Sequence, residues 1–249
     1  MSVQGIEDAI HILIKFGSQK NIKSLQSGQF YMKRLQYYID LEKSTSDEMV
    51  GDEYEGQMLL TDVKVSLFTH DTHEYLGKIH APTSSFNLGY SNNPVFCMYM
   101  YDFRNYFSEE IRDELLHIRY GFSSEQYEKI KDFGESALVI TNTNEFFNRV
   151  DLAFKKRGIS YCRDLVSYYD GNIIQHLKEV QANNSRIAFW KRQKYAFQQE
   201  YRFFAYTEVA DNLTLDIGDI SDISQVLTTE QLLNTYMEAI CTIKKYNDS

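Results

Sequence analysis

The chain has 249 residues, 43% hydrophobic and 24% charged, which is enough to bury a sizeable core. Its formal charge of −9 provides no global basic field for a long run of phosphates, so any nucleic-acid contact has to come from local patches. Two prolines and 12 glycines argue against long disordered linkers, and no apolar run reaches the roughly 18 residues that span a bilayer.

In chain order, Ala9 to Phe16 is apolar and β-branched enough for a strand, closed by Gly17. Ser18 caps a short helix through Leu25, Gly28 ends it, and Gln29 to Met32 forms a second strand. This compact opening brings Lys15 and Tyr31 within reach of each other. Residues 42 to 58 are polar and acidic and predict a loop, with Gly51 and Gly56 bracketing Asp52-Glu53-Tyr54-Glu55. Leu59 to Phe68 and Glu74 to Ile79 predict a hairpin, and Pro94 to Tyr101 is the clearest strand.

Glu109 to Tyr120 predicts a helix, and Ser123 to Lys131 a second one with Ser123 or Ser124 as cap. Ala137 to Thr141 predicts a short buried strand, and Thr143 or Asn144 caps a helix through Lys156. Leu165 to Tyr169 reads as a strand, Ile173 to Val180 as a helix, and Leu213 to Asp219 as a strand segment. Thr229 to Lys245 predicts a C-terminal helix. Strands and helices mix without regular βαβ alternation, which predicts an α+β fold.

The densest chemistry lies between Phe189 and Phe204, which holds the only tryptophan, four basic residues and Gln198-Gln199-Glu200-Tyr201-Arg202. A carboxylate entering an aromatic strand is costly unless a cation or hydrogen-bond donor meets it. Glu200 is therefore either clamped to an arginine for structure or held for chemistry. On a strand, Gln198, Glu200 and Arg202 share a side-chain phase, so Arg202 either locks Glu200 or meets a phosphate. Tyr99 and Tyr101 offer stacking surfaces for a flat ring, and Asp52 or Glu55 can orient a polar ligand or an arginine.

Nucleotide-binding glycine loops of the G-x-G-x-x-G and G-x-x-x-x-G-K-[ST] kinds do not occur, nor does G-x-S-x-G. Cys97, Cys162 and Cys241 are too scattered for a disulfide framework or zinc site, and His70-x-x-His73 has no third ligand at suitable spacing. No metal is expected. The opening Met1 to Asp8 lacks the basic start and apolar core of a secretory signal, so the expected location is cytoplasmic.

The ordered segments K-F, L-x-x-G-x-F-Y-M, G-D-x-Y-E-G, F-C-x-Y, F-G-E-x-A-L-V-I, V-x-Y-Y and Q-x-E-Y-R, over residues 12 to 206, resemble a bacterial abortive-infection and phage-defence family placed among the ADP-ribosyltransferase folds. The resemblance implies one domain over residues 1–249, with two small mixed or antiparallel sheets around an NAD-type cleft and flanking helices. It implies NAD as substrate and Glu200 as the catalytic carboxylate; Gln198, in phase with Glu200 on a strand, can then bind the acceptor. Lys15 stands where the family has Arg or His. Tyr31 or Tyr99 would stack nicotinamide, and Tyr101, Asp52, Glu55 and Arg202 would complete the NAD site.

A toxin or defence effector held in check by an antitoxin or chaperone is the implied setting. RNA or another single strand is the expected acceptor, met by Trp190, Lys191, Arg192 and Lys194, whose cations interleave with aromatic rings. Two rival readings stand beside this one. The first is a Mg²⁺-dependent nuclease on Asp52, Glu55 and Glu200, which Arg202 weakens because guanidinium is a poor proton acceptor. The second is a non-catalytic interaction module.

Overall fold

The computed structural model describes residues 12–45, 51–87, 89–101, 106–169 and 173–242. Strand β1 (Ile12–Gly17) is followed by α1 (Gln19–Gln26), β2 (Gln29–Arg34) and α2 (Leu35–Thr45). Then come β3 (Gln57–Phe68), β4 (Tyr75–Asn87), β5 (Pro94–Tyr101), β6 (Tyr106–Arg112) and β7 (Leu115–Tyr120). Helix α3 (Ser124–Ile130), β8 (Ser136–Ile140), α4 (Thr143–Arg157), β9 (Tyr161–Leu165) and β10 (Ser167–Tyr169) follow. The last third holds α5 (Ile173–Ala182), β11 (Trp190–Arg192), β12 (Glu200–Ala205), β13 (Asn212–Asp216), β14 (Ser224–Thr228), α6 (Thr229–Leu233) and β15 (Met237–Thr242).

The fold is α+β. An eight-stranded sheet runs β13-β2-β5-β1-β8-β14, with β12 pairing both β5 and β9. Three smaller sheets, β15-β7-β6, β3-β4 and β10-β11, stand beside it, so β1, β5 and β12 share one large sheet where two small ones were expected. The difference comes from β5, which serves three neighbours. On one edge it pairs with β2 at residues 94–95 and with β1 at 99–101. On its other edge it carries β12 across Val95 to Tyr99. Strands β1 and β2 therefore part along the middle of β5, and this parting places the site.

The pleat explains the core. On β12, Tyr201, Phe203 and Ala205 face Phe96 and Met98 on β5 and pack against Phe146, Val150 and Phe154 of α4. Phe203 meets Phe30 edge-on with ring centroids 5.4 Å apart. Burying an aromatic or aliphatic side chain of this size contributes about 1.5–3 kcal/mol, so this layer supplies much of the driving force. The opposite face of β12 carries Glu200, Arg202 and Phe204, and register sets Glu200 beside Tyr99 and Arg202 beside Cys97.

Local caps act largely as the sequence indicates. The Ser18 hydroxyl accepts from the Asn21 amide, and Ser123 with Gln126 forms a reciprocal capping box on α3. Helix α4 is capped by Asn142 rather than Thr143 or Asn144, and Gly158 closes it in the left-handed region. Gly28 has φ +100°, and a Cβ there would sit 2.6 Å from the Gly218 carbonyl carbon. Gly28→Ala is therefore expected to lose at least about 2 kcal/mol, from backbone strain and overpacking together, in a denaturant titration.

Two helix expectations are corrected. Residues 109 to 120 form the β6–β7 hairpin, because Asp113 and Glu114 both take positive φ (52° and 62°) and close a two-residue turn between Arg112 and Leu115. The C-terminal helix stops at Leu233, and β15 then pairs antiparallel with β7. The acidic stretch from residue 42 begins as the end of α2 and is not loop throughout. The predicted hairpin near residue 70 is present, longer at both ends than the sequence indicates. No helix among the described residues is long and apolar enough to cross a membrane.

Candidate functional site

Where β1 and β2 part, a pocket of about 160 Å³ opens against β5 and β12. Its walls include Lys15, Tyr99, Glu55, Lys191, Gln198, Glu200 and Arg202, joined by Tyr38 and Cys97. Lys15 lies in the gap itself, donating to the Cys97 carbonyl at 2.6 Å with its ammonium 4.6 Å from the centre of the Phe96 ring.

Glu200 is held by two cations. Lys191 donates to Oε1 at 2.7 Å and Arg202 to Oε2 at 2.6 Å. Glu55 closes the group: Arg202 donates to it at 2.7 Å and Lys191 lies 3.5 Å away. Lys191 also donates to Gln198 Oε1 at 2.5 Å, and Arg202 donates to the Ala188 carbonyl. Two carboxylates and two cations thus balance within a buried ring. The Glu200 side chain is 10% exposed where Glu55 is 1% and the cations 2%, so Glu200 is the member turned toward solvent.

Burial alone would raise the Glu200 carboxyl, but Lys191 and Arg202 outweigh it and hold the group well below the usual carboxylate range. Burial pushes Glu55 in the opposite direction, and Arg202 and Lys191 only partly offset that. Burial likewise raises the Cys97 thiol to about 12 and the Tyr38 hydroxyl above its ordinary value. Glu200 is the group kept ionised at this wall.

The backbone explains how neighbours in sequence reach one point. Gln198 ends a 3-10 turn over 193–198, and Gln199 takes φ 41°, a left-handed kink immediately before β12. The kink lets Gln198 and Glu200 both meet Lys191. Tyr168 on β10 adds a lock, its hydroxyl accepting from the Glu200 amide at 2.9 Å.

A second cluster lies behind the pocket. Arg192 donates to Asp52 at 2.9 Å and to Glu42 at 2.9 Å, and Tyr195 donates to Glu42 at 2.9 Å. The Glu53 amide also donates to Glu42, and Lys194 does so at 3.2 Å. This cluster pins residues 52–56 against the 190–195 stretch, which is what carries Glu55 to Arg202.

The predicted residues fall into three groups. Lys15, Glu55, Tyr99, Gln198, Glu200 and Arg202 gather around the pocket. Asp52, Tyr31 and Tyr101 do not line it. Asp52 is buried against Arg192, Tyr31 is exposed on β2, and Tyr101 is buried, donating to the Gly121 carbonyl at 2.5 Å. The third group is the proposed single-strand surface, which the packing corrects. Trp190 and Lys191 are 2% exposed, Trp190 packing with Val180 and Ile187 and Lys191 serving Glu200. Arg192 and Lys194 are engaged by Glu42. A buried tryptophan offers no face to a base.

Sequence reasoning missed Tyr38, Cys97 and Lys191 as pocket residues. Only Lys191 carried a readable signal, a cation nine residues before a buried glutamate. The nuclease reading also loses its geometry, since Asp52 turns onto Arg192 while Glu55 is taken by Arg202. Among the described residues no three histidine, cysteine or acidic side chains group to hold a metal ion. No protein-family model, curated protein or solved structure gives a significant match to this chain.

Proposed function

We propose that the chain is an ADP-ribosyltransferase that takes its ADP-ribosyl group from NAD, with Glu200 as the catalytic carboxylate. The observation that carries this reading is an ionised glutamate at the wall of a ring-sized pocket. A cavity of 150 Å³ admits a benzene ring, so about 160 Å³ suits the nicotinamide end while the rest of the dinucleotide lies outside. Breaking a nicotinamide–ribose bond builds positive charge on the ribose, and a fixed anion that also accepts from a ribose hydroxyl opposes that charge. Held below the usual range, Glu200 is a poor proton acceptor, so its role is electrostatic.

Tyr99 and Tyr38 border the ring space, and Gln198 stands beside Glu200 to orient a hydroxyl or an acceptor. The resemblance adds a setting, a toxin or defence effector with a macromolecular acceptor. That acceptor need not use the Trp190 stretch. Incubation with nicotinamide-labelled and adenine-labelled NAD, with and without Mg²⁺, tests the reading. Nicotinamide release with adenine label passing to a macromolecule is expected without Mg²⁺. Mg²⁺-dependent nucleic-acid cleavage alone, or no reaction in either arm, overturns it.

A further inference from the structure

Two lysines line the pocket, and they differ in their partners. Lys191 is saturated: Gln198, Glu200 and Glu55 surround its ammonium, and the two carboxylates keep it charged despite burial. Lys15 has one carbonyl, from Cys97, and the face of Phe96. Among the described residues no carboxylate lies within ion-pair distance of it.

We infer that Lys15 is a nucleophilic amine that condenses with a small hydroxylated aldehyde entering the pocket. The inference does not rest on NAD chemistry. Four observations support it. The amine lies in a gap of the sheet that opens on a cavity large enough for several heavy atoms. It lacks the ion pair that would fix its charge. Burial lowers its affinity for a proton, and Lys33 on β2 adds to this, while Glu200 on β12 and Cys97 on β5 act against it. Finally, Glu200 and Gln198 line the same pocket, and their oxygens have lone pairs left for a hydroxyl beside the bonds from Lys191 and Arg202.

The step balances without an oxidant. The ammonium first loses a proton to solvent, and the amine lone pair attacks the carbonyl carbon while the C=O π pair moves to oxygen. A proton passes from nitrogen to that oxygen, water leaves, and the C=N bond of an imine remains. A lowered pKa raises the neutral, nucleophilic fraction of an amine at pH 7.

The test is reductive trapping of the wild-type chain with glycolaldehyde and sodium cyanoborohydride at pH 7, followed by peptide mass mapping over time. Lys15 is expected to label at least tenfold faster than the exposed Lys64, with Lys191 unlabelled. Lys15→Met should remove the fast component and leave the slow surface labelling. The wild-type map decides the matter even if that variant folds poorly. Labelling of Lys15 no faster than Lys64, or equal labelling of Lys15 and Lys191, overturns the inference. Because no NAD is present, the result is independent of the transferase reading.

Discussion

Replacing Arg202 with methionine is expected to remove about 3–5 kcal/mol of folding stability, the cost of leaving buried charge without its partner. Arg202 bridges Glu55 and Glu200 through separate nitrogens, at 2.7 and 2.6 Å, and its side chain is 2% exposed. Methionine fills comparable volume, so the loss reports charge and not a void. Denaturant titration at pH 7 measures it. A midpoint equivalent to a change of less than about 1 kcal/mol would mean that the two carboxylates find protons or water without difficulty. Lowering the pH should then narrow the gap between wild type and variant, because protonating Glu55 and Glu200 removes the unpaired charges.

Replacing Glu200 with glutamine is expected to lower turnover of NAD by about 10²–10³, in line with the loss of one preorganised electrostatic group. Lys191 and Arg202 would then share Glu55 alone, so Glu200→Gln must also destabilise. Turnover is therefore compared well below the variant's unfolding midpoint. Full activity in a correctly folded Glu200→Gln chain would sink the catalytic assignment.

The pH dependence has a definite sign. The folded Glu200 carboxyl lies below its ordinary value of 4.5, so its contribution is complete above that pH and is lost as pH falls through the folded value. Glu55, raised by burial, acts in the opposite sense: its ionisation opposes folding at neutral pH, and acid relieves it. Wild type should accordingly lose stability below pH 4.5 more steeply than Glu200→Gln does.

The sequence exposed the parts of this molecule that depend on local rules. Serine caps, the alternation of Pro94 to Tyr101 and the shared phase of Glu200 and Arg202 are all readable without coordinates. The misreadings share one cause, which is that tertiary pairing decided them. Residues 109 to 120 have enough charged and apolar residues for a helix, and only the positive φ values at Asp113 and Glu114 betray a turn. Trp190 beside basic residues looks like a surface for bases, yet packing with Val180 and Ile187 hides it. The pocket itself was not legible, since the parting of β1 from β2 is a property of how β5 is shared. Lys15 and Glu200 were individually noticeable, and only the sheet makes them neighbours.

The ion ring joins segments that are made at very different times. Glu55 precedes Arg202 by 147 residues, and Glu42 precedes Lys194 by 152. At roughly 5–20 residues per second, a ribosome takes about 7–30 s to supply the partner that Glu55 requires. Closing loops of this length also carries an entropy cost that only the packing of the later strands can offset. The pocket therefore cannot exist on a nascent chain that stops short of β12. Any activity it confers begins only after Arg202 has been added, and termination before β12 yields fragments with an incomplete site.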